Sequence, residues 1–94
     1  MSETIEHVEE SGFFLHDAVG KRIAELTYRR VGPKAVLADH TWVDPSLRGR
    51  GVARRLLDAL VAWARASGTR IVPVCSYVVA EAQRDPSLHD VMAR

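Results

Sequence analysis

The sequence predicts an α+β domain in which four antiparallel strands are followed by a helix, a fifth strand alongside the fourth, and a C-terminal helix. Three observations predict it. Between Thr4 and Val43, short runs rich in Ile, Val, Phe, Tyr, Thr and Trp are separated by turn signals. After Asp44-Pro45-Ser46 the apolar repeat changes from two residues to about 3.6. Finally, Ile71-Val72-Pro73-Val74-Cys75 is an apolar run of strand length. One domain over residues 1–94 is expected, since halves of a 94-residue chain are too small to fold unaided.

The turn signals Glu10-Ser11-Gly12, Ala18-Val19-Gly20 and Val31-Gly32-Pro33-Lys34 bound strands at Thr4–Glu9, Phe13–Asp17, Lys21–Arg30 and Ala35–Val43. Links this short imply an antiparallel meander. In the third strand Ala24, Leu26 and Tyr28 share one side and Glu25, Thr27 and Arg29 the other, the alternation of a sheet with one wet face. The fourth strand alternates poorly through Val36-Leu37-Ala38-Asp39-His40, which predicts a change of face or a bulge. Val52, Leu56, Leu60 and Trp63 then form the apolar stripe of an amphipathic helix that Gly68 can terminate. The apolar run at residues 71–75 suits a strand covered on both sides, with Pro73 at a ladder gap or splay. Ser76 is placed to cap a second helix reaching about Arg84, and Asp85-Pro86 to start a last short turn. Trp42 and Trp63 are most simply core residues.

Apolar residues make up 47% of the chain, which supports a globular class. Thirteen Lys and Arg oppose twelve Asp and Glu, so no global charge marks a nucleic-acid or membrane-surface binder. Placement is less even: Arg48, Arg50, Arg54 and Arg55 cluster, while Glu3, Glu6, Glu9 and Glu10 crowd the N-terminus. The single Cys75 excludes an internal disulfide, the acidic start does not look like a secretion signal, and no apolar run reaches the about 18 residues of a membrane span. A reducing, cytoplasmic setting is expected. His7, His16, His40 and His89 stand far apart, so no metal site is expected. The strand at Thr4–Glu9, left at an edge, allows a monomer or a weak homodimer.

Arg48-Gly49-Arg50-Gly51-Val52-Ala53 lies between a strand and the long helix. Its glycines let the backbone bend and approach a ligand, and the helix start behind them presents unpaired N–H groups. An anion, phosphate foremost, suits such a turn; a Gly-rich turn with solvated arginines is the alternative. No Walker loop occurs, and the dinucleotide fingerprint fails on glycine spacing.

Arg48, Gly51 and Ala53 match the Arg/Gln-x-x-Gly-x-Gly/Ala motif of the GNAT superfamily of N-acetyltransferases, and the sequence resembles that family over roughly Gly20 to Pro86. More narrowly, His40-Thr41 through Gly51, with Ile71-Val72-Pro73-Val74-Cys75 and Tyr77-Val78, is similar to very small GNAT-like proteins that carry a cysteine after the fifth strand. The resemblance implies a GNAT-like fold and acetyl-CoA as cosubstrate. Val43, Arg48, Gly49, Arg50, Gly51, Val52, Ala53 and Arg54 would hold the CoA, with Arg50, Arg54 and Arg55 available as forks for its phosphates. It further implies that Cys75 carries the acetyl group, that His40 is a base, and that Tyr77 gives a proton to the departing CoA thiolate. The expected function is acetyl transfer to an unidentified amine, directly or through acetyl-Cys75; the alternative is a CoA or acyl-CoA binding module without significant turnover. Two features depart from the family. Ser76 stands where the small relatives often have proline, and the last hairpin of full-length members, part of their acceptor site, is missing. Taken alone, Cys75 also suits a small buried hydrophobe, His40 a half-exposed strand residue and Tyr77 core packing with a tethered hydroxyl.

Overall fold

Alternation along each strand decides which side chains are buried. The computed structural model describes residues 4–93, so Glu3 of the acidic N-terminal group lies outside the described residues. It contains β1 (Thr4–Val8), β2 (Gly12–His16), β3 (Arg22–Gly32), β4 (Ala35–Val43), α1 (Val52–Ser67), β5 (Arg70–Pro73) and α2 (Ser76–Arg84), with single 3-10 turns at Pro45–Leu47 and Pro86–Leu88. The first four strands form an antiparallel meander, and β5 lies parallel to β4, so the sheet runs β1-β2-β3-β4-β5. Register places Ile5, Leu15, Ala24 and Val43 in one cross-strand row and His7, Phe13, Leu26 and Thr41 in the next. These rows project from one face.

The apolar stripe of α1 closes that face. Leu56, Leu57, Leu60 and Ala64 are fully buried with Leu15, Leu26, Val36 and Ile71. Trp63 packs on Tyr28 at 5.3 Å between ring centroids, and His7 stacks on Phe13 at 4.2 Å. The buried Tyr28 hydroxyl is satisfied by His7 Nε2 at 2.6 Å and by the Glu10 N–H at 3.2 Å, which ties the edge strand to the centre of the sheet. The helix ends as its sequence implies: Gly68 takes φ 68°, and its N–H bonds to the Ala64 carbonyl. Among the described residues no helix is long and apolar enough to cross a membrane.

Three sequence expectations change. Trp42 shares a row with Glu6, Phe14 and Glu25 on the face away from α1, because its neighbours Thr41 and Val43 take the core side; only Trp63 joins the core. β5, at the edge of the sheet, is not covered on both faces: only Ile71 is fully buried, Val72 and Pro73 are half-buried, and Val74 just beyond it is 53% exposed. Its outer edge is partly occupied by the C-terminal segment, through Ile71 N–H to Val91 and Ala93 N–H to Ile71, both at 2.7 Å. The edge position also explains Pro73. The Val74 N–H points at β4, so alternation turns the Pro73 nitrogen outward, where no ladder bond is lost. Finally, Cys75, not Ser76, is the N-cap of α2: it keeps extended dihedrals (φ −57°, ψ 134°) while its carbonyl accepts the Val79 N–H at 2.9 Å.

Leu60→Ala should cost about 2–5 kcal/mol through lost burial and the cavity left behind. Urea denaturation checks this; a change near the about 0.5 kcal/mol of a surface substitution would place the core elsewhere.

Candidate active site

The irregular stretch of β4 is a bulge. Thr27 pairs with His40 and Tyr28 with Ala38, leaving Asp39 as the extra residue, its carboxylate accepting from the Thr27 hydroxyl at 2.7 Å. Pairing with β5 covers only Ala35–Ala38 against Arg70–Pro73. At its end the Ala38 carbonyl accepts N–H groups from both Val74 (3.1 Å) and Cys75 (2.9 Å), after which the chain turns into α2. From His40 to Val43, β4 therefore keeps β3 on one side and has an open edge on the other. Because the Asp44 N–H bonds to Ile23 of β3 at 2.9 Å, alternation aims the main-chain groups of Trp42 and His40 at β3. Those of Thr41 and Val43 face the open edge.

Next in the chain, Asp44 caps the first 3-10 turn, accepting from the Ser46 N–H at 3.0 Å and the Ser46 hydroxyl at 2.7 Å, bonds that lower its carboxyl pKa. Gly49 and Gly51 have φ of 82° and 72°, the left-handed region that disfavours side chains, and no atom lies within 4 Å of where either Cβ would stand. Gly51 is the N-cap of α1 with no side-chain cap, and the first intrahelical bond is Arg55 N–H to Gly51 at 3.2 Å. The N–H groups of Val52, Ala53 and Arg54 thus have no intrahelical acceptor, at the positive end of a 16-residue helix. They open onto a recess of about 240 Å³ that Val43, Leu47, Arg48, Gly49 and Gly51 also line, with Tyr77 from α2 as the far wall. The Arg48 Nε is anchored to the Val43 carbonyl at 3.2 Å. Open space, left-handed glycines and aimed N–H groups fit a phosphate-bearing ligand.

The first turn of α2 supplies two more of the residues picked from sequence. Cys75 is half-buried and its Sγ donates to Thr41 Oγ1 at 3.3 Å, so the thiol lies beside the core-facing side of β4. Tyr77 is half-buried; desolvation raises its pKa, against the opposing charges of Arg54 and Arg84. His40 stands apart from both. It projects from the opposite face of the sheet, where its Nε2 lies 3.4 Å from Glu25 Oε2. Arg50 is exposed and does not line the recess. Arg54 does line it, yet its guanidinium is held by three carboxylates: Asp58 at 2.8 Å, Glu81 at 2.9 Å, and Asp85. The side-chain charge of Arg54 is therefore already partnered, while its main-chain N–H, in the first turn of α1, has no intrahelical acceptor. Sequence reasoning gave no role to Thr41, Glu25 or Glu81. Alternation places Glu25 on the wet face, but its partner across the ladder depends on the register.

The model of the family described as GCN5-related N-acetyl-transferase matches residues 12–91. A GCN5-like protein of Staphylococcus aureus, solved in solution by NMR, is 33% identical, with a TM-score of 0.81 over 98% of this chain and 89% of that one. YhbS of Escherichia coli, a GNAT family N-acetyltransferase crystallised with CoA, is 22% identical with a TM-score of 0.59, over 66% of this chain and 38% of its own. AAC(6')-Iy, solved with the bisubstrate analogue CoA-S-monomethyl-acetylneamine, is 20% identical with a TM-score of 0.54, over 88% and 61%. The last two share the fold with this chain. No curated protein matches it.

Asp85 gives the region a measurable pH dependence. Hydrogen bonds from Arg54, then from Ser87, lower its carboxyl from the ordinary 3.8 to about 2. A pKa depressed by folding means stabilisation that is complete above the unfolded value and lost as pH falls through the folded one. The stability gap between the parent and Asp85→Asn in urea should therefore be largest at neutral pH and close between about 4 and about 2. Carboxyl NMR of Asp85 should titrate near the lower value.

Proposed function

The chain belongs to the GCN5-related N-acetyltransferase family, and on that premise we propose that it transfers the acetyl group of acetyl-CoA to an amine by way of Cys75. One observation carries this reading: the recess at the start of α1 is lined by Val43 of β4 and by Tyr77 of α2, and each lies two residues from a member of the Thr41–Cys75 pair. The N–H groups of Val52, Ala53 and Arg54 suit the CoA pyrophosphate, with Arg48, Gly49 and Gly51 forming the wall. Exposed Arg50 is available to the outer phosphates. The amide-bearing arm of CoA suits the main-chain groups of Thr41 and the N–H of Val43 on the open edge of β4, as an added strand would, the Val43 carbonyl being taken by Arg48. That edge leads to the Cys75–Thr41 pair.

The chemistry follows from this placement. Thr41 accepts from the Cys75 thiol and so orients its sulfur. After the thiol releases its proton to solvent, the sulfur attacks the acetyl carbonyl; a new carbon–sulfur bond forms and the bond to the CoA sulfur breaks. The departing thiolate takes a proton that Tyr77, on the recess wall, is placed to give and then regain from solvent. An amine next attacks acetyl-Cys75, the carbon–sulfur bond breaks, and a proton from the amine nitrogen restores the thiol. His40, beside Glu25 on the opposite face of the sheet, is given no step at the cysteine in this route.

Incubation with acetyl-CoA and no acceptor should add one acetyl group that hydroxylamine removes, and Cys75→Ala should lose the adduct while keeping CoA affinity by calorimetry. A Cys75→Ala protein that acetylates an amine as fast as the parent would establish direct attack instead. Binding without either adduct or transfer would identify a CoA-binding module. Gly51→Val should weaken CoA at least about tenfold, since its side chain enters the open space above the turn. It should also lower stability by about 1–3 kcal/mol, because Val must adopt φ 72°.

A further inference from the structure

The described residues hold one buried carboxylate whose ion pairs bridge the two helices of the candidate site. Glu81 of α2 has a side chain only 4% exposed, and its charge is met by Arg54 Nη1 of α1 at 2.9 Å and by Arg84. Asp85, the C-cap of α2, takes the other end of the same guanidinium. Arg54 is the third residue of α1, inside the turn whose N–H groups open onto the recess. Tyr77 precedes Glu81 by four residues, so the two stack on one face of α2, and Cys75 is that helix's N-cap. The guanidinium thus joins the anion-gripping end of one helix to the helix that carries the thiol and the tyrosine. An apolar contact could hold two helices together; bonds from a planar fork to oriented carboxylates also set their relative position.

We propose that Glu81 is a positioning residue for the transfer: through Arg54 it sets where the first turn of α2, with Cys75 and Tyr77, stands relative to the first turn of α1. The proposal rests on the transfer reading above for its catalytic consequence, while its geometric content concerns the chain alone. Asp58 provides the internal control. It also bonds Arg54, at 2.8 Å, but from α1 itself, so it adds charge to the cluster without linking the helices.

The test compares Glu81→Ala, Glu81→Gln and Asp58→Asn with the parent in two measurements, at a temperature where all are folded by circular dichroism. One is the rate of Cys75 acetylation against acetyl-CoA concentration; the other is the rate of Cys75 alkylation by iodoacetamide without CoA. Glu81→Ala should lower the maximal acetylation rate about tenfold with half-saturation changed less than about twofold. It should also change the alkylation rate at least about threefold, since the thiol moves with its helix. Glu81→Gln, which keeps an acceptor oxygen, should recover part of both effects, and Asp58→Asn should leave both within about twofold. If Glu81→Ala does not fold, Asp85→Asn takes its place with the same expected pattern. A folded variant with both rates at the parent level overturns the proposal, as does an Asp58→Asn effect equal to that of Glu81→Ala. A parent that never acetylates Cys75, with alkylation shifted by Glu81→Ala and not by Asp58→Asn, overturns the transfer reading and leaves the positioning role standing.

Discussion

Two N–H groups, from Val74 and Cys75, converge on the carbonyl oxygen of Ala38, and the layout of the site depends on that arrangement. A parallel ladder continues only while each strand can offer the other a donor and an acceptor at regular spacing. Here the bulge at Asp39 shifts β4 by one residue just as β5 runs out at Pro73, so neither strand can continue the pairing. The strands part, the main-chain groups of Thr41 and the N–H of Val43 face an open edge, and the chain leaving β5 enters α2 with Cys75 at its start. A longer β5 or an unbulged β4 would close the edge of β4 between the glycine turn and Thr41.

Charge placement adds a second layer. Four arginines within eight residues read as a cationic patch, yet their surroundings separate them into different tasks. Arg48 is drawn back onto the Val43 carbonyl and stiffens the turn, Arg50 is exposed to solvent, and Arg54 is enclosed by carboxylates from both helices. The recess therefore receives main-chain donors and a helix dipole, with the neighbouring guanidinium used as a joint between helices. Main-chain donors hold a phosphate without the rotamer entropy that a long side chain must give up on binding.

Much of the fold was legible because it rests on local signals. Turn residues marked the strand ends, the period change marked α1, and the broken alternation at Leu37-Ala38-Asp39 marked the bulge. The glycine turn was legible for the same reason: Gly49 and Gly51 adopt the left-handed backbone that their residue type allows most cheaply. Trp42 was misplaced because residue type outweighed parity. An aromatic suggested core, whereas its position between Thr41 and Val43 sends it to the other face. Ser76 was chosen as cap on side-chain chemistry, whereas the turn after Pro73 and the bond to Ala38 leave Cys75 as the last extended residue before the helix.

The sequence by itself determined the order of elements, the buried stripe of α1, the left-handed glycine turn at the start of that helix, and the family. These depend on the spacing of residues along the chain, which is visible without coordinates. Only the tertiary structure decided that Cys75 meets Thr41 while His40 turns to Glu25 on the far face, and that Arg54 of α1 meets Glu81 of α2 and its C-cap Asp85. Arg54 and Glu81 lie 27 residues apart and Cys75 and Thr41 lie 34 apart. Contacts at that separation follow from strand register and from how helices cross the sheet, which arise when the whole core packs and leave no periodic trace in either segment alone.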